Sequence, residues 1–179
     1  MPPTFPVIGT GFILRNFVSA DAESLSAIET DLEVKQFLDF PLTREEWLKK
    51  FRPDEFSGWA VDVDGVLAGR ASLLRIRGKR NGYRELVIVI GRPYWGARLG
   101  RKVAKELIAF AFRHDNINGF VACVHPEHKA SMALLRQFKF RYRGVAKEID
   151  SNCQAGNIIF RLSRGAYNSS IKPTASGSR

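Results

Sequence analysis

Residues 85–102, ELVIVIGRPYWGARLGRK, limit what this chain can become more than any other stretch. Residues 85–90 are a short apolar run, rich in β-branched side chains and opened by the carboxylate of Glu85. That is the pattern of a strand buried on both faces. Gly91 and Pro93 end it. Beyond Tyr94 and Trp95, the glycines Gly96 and Gly100 permit a tight turn and a close backbone approach to a ligand, where helical spacing begins. A helix start presents unpaired N–H groups and the positive end of its dipole, so the loop reads as an anion site, most simply for phosphate or pyrophosphate. Arg92, Arg98, Arg101, Lys102 and Lys105 add positive charge there.

The remaining chain supplies partners for that strand. Residues 11–16 (GFILRN) predict a short strand, followed by a helix with Ala22, Leu25 and Ile28 on one face and Ser19 or Asp21 as its cap. A second short helix is expected over 32–38, broken by Pro41, and Thr43 with Glu46 forms a capping box for a third. Residues 59–63 and 66–76 are strands joined by the turn Asp64-Gly65, and Asn81-Gly82 marks another hairpin turn leading into the opening strand. A helix over 99–114 places Leu99, Val103, Leu107 and Phe110 at helical spacing. Then come a strand at 120–124, a helix at 128–138 carrying Met132, Leu135 and Phe138, and strands at 140–150 and 158–162.

This order predicts an α+β fold with a mixed, mostly antiparallel sheet of about seven strands and one crossover. The expected organisation is an N-terminal extension over 1–10, a single domain over 11–164, and a disordered tail over 165–179, where the sequence is small and polar. A length of 179 residues suits one domain, and 45% hydrophobic with 26% charged residues suits a soluble protein. No apolar run approaches the roughly 20 residues that cross a bilayer, and the N-terminus lacks signal-peptide character, so a cytoplasmic location is expected. With only Cys123 and Cys153, reduced thiols are expected rather than a disulfide, with Cys123 in the core. The formal charge of +10 suggests attraction to a phosphorylated cofactor, nucleic acid, a ribosome or an acidic protein; simple solubility is the plainer explanation.

Three stretches together resemble the GCN5-related N-acetyltransferase (GNAT) superfamily, and within it the ribosomal-protein N-acetyltransferase (Rim-type) branch. They are GFILRNFVSADAESLSAIETDLEVKQFLDFPLTREEW, similar to that branch's opening segment; EL-VIVI-GRPYWGARLGRKVA, similar to the acetyl-coenzyme A motif; and VHPEHKASMALLRQFKF, similar to the "V-x-P-x-N-x-x-S" element and its helix. The resemblance covers roughly residues 10 to 163 and implies a sheet splayed between its fourth and fifth strands, with acetyl-CoA as acetyl donor. Four positions depart from the pattern: Arg98 replaces the middle loop glycine, His128 an asparagine, Lys139 a glycine, and Leu135 a tyrosine that acts as acid. An arginine resists positive φ, so an ordinary backbone is expected at Arg98, or a turn moved to Gly96.

The resemblance implies direct attack of a primary amine on the thioester. The strand residues Ile88, Val89 and Ile90 would bind pantetheine, with Val89 or Ile90 offering an N–H to the thioester oxygen. The loop residues Trp95, Gly96, Ala97, Arg98, Leu99, Gly100 and Arg101 would hold the pyrophosphate, with His128 and Ser131 completing the cofactor set. Glu85 matches the family's base and Ser131 a donor to the departing sulfur; water or Tyr142 are the other candidate acids. As plainer alternatives, Glu85 is a strand-end charge and Ser131 a helix-start serine bonded to its own backbone. Cys123, His125 and His128 have a zinc-like spacing but lack a fourth ligand and are split by Pro126, so no metal is expected. The acceptor is a protein N-terminus or a small amine, and a ribosome, an acidic protein and a homodimer are possible partners. The competing class is a non-catalytic acyl-CoA-binding or RNA-associated module.

Overall fold

The computed structural model describes residues 6–39, 41–76, 82–147 and 153–171. Its eight-stranded sheet runs in the order β1-β2-β3-β4-β5-β6-β8-β7. The strands are β1 (Val7–Gly9), β2 (Phe12–Arg15), β3 (Trp59–Val63), β4 (Val66–Arg75), β5 (Tyr83–Ile90), β6 (Gly119–Val124), β7 (Arg141–Val145) and β8 (Ile158–Ser163). The helices are α1 (Asp21–Thr30), α2 (Leu32–Lys35), α3 (Arg44–Lys50), α4 (Leu99–His114), α5 (Lys129–Gln137) and α6 (Arg164–Ile171). Every neighbouring pair is antiparallel except β5 and β6, which are parallel and joined across α4. No helix among the described residues is long and apolar enough to cross a membrane.

The expected α+β architecture is present, with one strand more than predicted. Val7–Gly9 pairs with Phe12–Arg15 through the turn at Gly11, which has φ 79°. The prolines nearby mask so short a strand in the sequence. At the other end, the tail expected to be disordered from residue 165 starts as α6. Arg164 secures it: its Nη1, Nε and Nη2 donate to the carbonyls of Phe112, Ile117 and Asp115 at 2.8, 2.9 and 3.0 Å. Tyr167 then packs on Phe112, ring to ring at 4.6 Å.

Local chemistry explains most of the boundaries. Thr43 and Glu46 form the reciprocal capping box of α3. Asp64 and Gly65 both take positive φ, 52° and 82°, as a two-residue hairpin turn requires. The Asn81-Gly82 turn and the outer part of the last predicted hairpin fall partly outside the described residues. The start of α1 differs from expectation, because its N-cap is Ala20 and no side chain caps it. Asp21 is instead buried, taking two hydrogen bonds from Arg15 at 2.8 and 2.9 Å and one from the Val18 N–H at 2.8 Å. Burial alone would raise its carboxyl; the Arg15 and Val18 hydrogen bonds outweigh that and hold it below the usual carboxylate range.

Alternation along the strands divides the core between two faces. Leu86, Phe120, Ala122, Phe160 and Leu162 pack with Val103, Leu107, Phe112 of α4 and Leu135 of α5. On the other face, Phe17, Leu25, Trp47, Phe51, Ala60 and Leu67 form a second cluster under α1 and α3. An ion pair between Arg70 of β4 and Glu29 of α1 fastens that layer to the sheet.

Candidate active site

The site follows from a ladder that stops early. β5 and β6 pair only at Tyr83↔Gly119, Arg84↔Phe120 and Glu85↔Val121. Residues 86–90 continue along β4, as far as Gly69↔Ile90, but separate from β6. This is the splay expected between the fourth and fifth predicted strands; the additional β1 makes them the fifth and sixth. A row of backbone groups on β5 therefore faces an opening.

Two contacts fix which groups these are. The Gly91 N–H reaches the Ala68 carbonyl at 2.8 Å, and a Cβ added to Gly69 would stand 2.1 Å from the Val89 carbonyl oxygen. Val89 thus spends its backbone groups on β4, and alternation turns those of Ile88 and Ile90 to the opening. Of the two residues expected to offer an N–H there, Ile90 is the one that faces it. The Ile90 carbonyl, on the same side, accepts a 2.8 Å hydrogen bond from the Trp95 indole.

A short 3-10 turn over Arg92–Tyr94 leads to Gly96 at φ 83° and Arg98 at φ 57°, then into α4. The sequence allowed an ordinary backbone at Arg98 or a turn moved to Gly96; the loop uses left-handed backbone at both. Arg98, the residue before the first turn of α4, carries the steric strain of left-handed backbone where a helix N-cap is ordinarily extended. Lys139 likewise has φ 65° at the place where the resemblance expects glycine. The first backbone N–H of α4 to find a helical carbonyl is that of Lys102, bonded to Arg98 at 3.1 Å, and no side chain caps the helix. The amides of Leu99, Gly100 and Arg101 are left pointing outward beside the exposed side chains of Arg98 and Arg101. Gly100 lies above Ile90, since a Cβ there would contact Ile90 Cγ1 at 3.7 Å. Strand end and helix start thus converge, with Ala97 exposed between them.

Glu85 occupies the last rung before the splay and is 6% exposed, so it is no surface charge. Ser131 lies in the first turn of α5, half-buried, and its hydroxyl bonds to no backbone carbonyl among the described residues. His128 precedes that helix and stacks on Phe37, with centroids 4.1 Å apart and planes 14° apart. Burial, with a smaller contribution from the charge of His125, pushes the His128 imidazole below its ordinary value. Leu135 is buried in the core. Tyr142 is 60% exposed on the outermost strand, three strand spacings or about 14 Å from β5.

Cys123 and Cys153 are joined in a disulfide, with Cα atoms 5.8 Å apart, against the expectation of reduced thiols. Cys123 is half-buried, not core, because it stands on the sheet face opposite α4. The bond takes its sulfur out of the zinc-like Cys123, His125, His128 set. Next to it, Asn157 donates to Asp39, drawing the segment after α2 over the end of β6. Burial raises the Asp39 carboxyl above its usual range, against the opposing pull of Asn157.

A parallel pair thus parts after three rungs, with an uncapped helix N-terminus at the end of the opened strand of a mixed sheet. The chain matches the acetyltransferase (GNAT) domain over residues 12–141 and belongs to that family of acetyltransferases. Its fold is similar to a GCN5-related N-acetyltransferase from Brucella melitensis, with 20% identity, a TM-score of 0.72, and 99% of this chain and 90% of that one covered. It is also similar to an acetyl transferase from Salmonella typhimurium that modifies the N-terminal serine of a 50S ribosomal subunit protein, with 16% identity, a TM-score of 0.71, and coverage of 89% and 99%. A third similar structure is a ribosomal-protein alpha-N-acetyltransferase, RimL, in complex with coenzyme A, with 16% identity, a TM-score of 0.74, and coverage of 90% and 99%.

Proposed function

We propose that the protein transfers the acetyl group of acetyl-CoA to a primary amine by direct attack, with Glu85 as base. The observation that carries this reading is the position of Glu85: a buried carboxylate at the last rung of β5 and β6, immediately before the open backbone of residues 86–90. An amine entering there meets a group that can draw off its proton, directly or through water. Acetyl-CoA supplies an activated thioester. Ile88 and Ile90 would hold its pantetheine by backbone hydrogen bonds, and the Ile90 N–H is set to stabilise negative charge on the carbonyl oxygen. The amides of residues 96–101, with Arg98 and Arg101, suit the pyrophosphate. Ser131 is the candidate donor to the departing sulfur, its hydroxyl not being spent on its own helix.

The test is thiol release from acetyl-CoA with a panel of N-terminal peptides and small amines. Glu85→Gln is expected to lower kcat by about 10²–10⁴-fold and to flatten the pH profile. Unchanged turnover and pH dependence in Glu85→Gln would remove it as base, and Ser131→Ala with unchanged turnover would remove the serine. Coenzyme A binding without release on any amine favours the non-catalytic acyl-CoA-binding module, a reading to which the buried Leu135 lends support.

A further inference from the structure

The sheet face opposite α4 carries a row of four side chains. Glu85 of β5, Val121 of β6, Arg161 of β8 and Arg141 of β7 are successive partners across the strands. Directly paired residues stand on one face, so the two arginines continue the line that begins at the candidate base. Strand spacing puts them about 10 and 14 Å from Glu85. Helices α1 and α3 lie over the other half of this face, against Ala60 and Leu67 of β3 and β4.

Three features distinguish this row from scattered surface charge. The Arg161 guanidinium is stacked over the ring of Tyr83 at 4.0 Å, and that ring is itself buried, so the cation is held in place while its side chain stays exposed. Arg141 and Arg161 oppose each other directly, an arrangement of like charges that weakens a ladder unless an anion lies between them. Among the described residues, no carboxylate forms an ion pair with either.

We propose that Arg161 and Arg141 form an acceptor-reading subsite that selects an acidic peptide. Its α-amine lies at Glu85 and its side-chain carboxylates at the third and fifth positions, which share one face of an extended chain, lie on the two guanidinium groups. The inference rests on the acetyl-transfer reading for the position of the amine. An extended chain advances about 3.3 Å per residue and turns every second side chain to the same face, so positions three and five, about 7 and 13 Å along, reach the two arginines. A small amine is too short to reach Glu85 and both cations.

The test measures equilibrium binding of two eight-residue peptides, with coenzyme A present, that differ only in carrying Asp and Glu, or Ala and Ala, at positions three and five. The protein should prefer the acidic peptide about five- to tenfold, as expected for two charge-assisted contacts at a partly exposed site. Arg161→Gln and Arg141→Gln should each erode the preference and the double variant should abolish it, while Arg161→Lys, which keeps the charge, retains part. Raising salt from about 0.05 to 0.5 M should shrink the preference in parallel. Equal affinity for the two peptides, or a preference that survives in the double variant, overturns the proposal. Acetylation of the peptides is read separately: a charge-dependent preference without acetylation leaves the two arginines as an acidic-peptide site and removes these peptides as acceptors, while thiol release with the amine panel decides the transfer reading.

Discussion

The indole Nε1 of Trp95 donates to the carbonyl oxygen of Ile90 at 2.8 Å, tying the loop before α4 back to the open end of β5. Trp95 is nevertheless 46% exposed, so the bond serves the loop rather than the core. Trp95→Phe removes the donor and keeps an aromatic ring. Because the freed carbonyl can turn to water, stability should fall by no more than about 1 kcal/mol. Affinity for coenzyme A should fall several-fold, because the loop loses its anchor. Titration calorimetry beside a thermal melt separates the two, and an unchanged Kd would show that the anchor does not shape the cofactor site.

Arg98 and Lys139 hold left-handed backbone, φ 57° and 65°, at positions open to glycine. Lys139→Gly should stabilise the protein by about 1 kcal/mol through relief of that strain. Arg98→Gly should show a similar gain together with weaker coenzyme A binding, because it also removes a cation beside the amides of α4. Denaturant midpoints and cofactor titrations check both. Arg98→Gly with unaltered affinity would mean that the arginine contributes nothing to the anion site.

His128 should make stability depend on pH on the acid side of neutrality. Its folded pKa is depressed, chiefly by burial. The stability linked to it is complete above the ordinary histidine value of about 6.5 and is lost as pH falls through the depressed one. His128→Asn should flatten that part of the curve. Urea midpoints from pH 5 to 8 provide the measurement, and an identical slope in the variant would refute the assignment.

The Cys123–Cys153 bond spans 30 residues and encloses α5 and β7. Loop-closure entropy assigns such a bond about 3–4 kcal/mol. Dithiothreitol, or Cys153→Ser, should therefore lower the denaturation midpoint substantially while the fold persists. A midpoint indifferent to reductant would show that the thiols are not joined in solution.

What the sequence disclosed and what it withheld separate along a physical line. Asp64-Gly65, Thr43 with Glu46, and the apolar spacing of α4 each act within a few residues, and each is found where the chain predicts. The same holds for the strand, loop and helix of residues 85–102. The missed features depend on distant partners. α6 is held by carbonyls of Phe112, Asp115 and Ile117, and the disulfide pairs residues that only the fold brings together. Choosing Ile90 over Val89 required the register of β4 with β5. Burial of Glu85 required knowledge of which rung is last. At Arg98 the left-handed backbone runs against that residue's own steric preference, and no local pattern in the sequence discloses it.

The early parting of β5 and β6 sets stability against usefulness in the same five residues. Each further rung that joined residues 86–90 to β6 would complete two more backbone hydrogen bonds, and would fill the slot where a second molecule can lie as if it were a strand. Selection for a firmer sheet here would thus erase the opening. A substitution that hardens the protein by zipping this seam is one to avoid, and gains in robustness are better sought at the far strands or at the two strained left-handed positions.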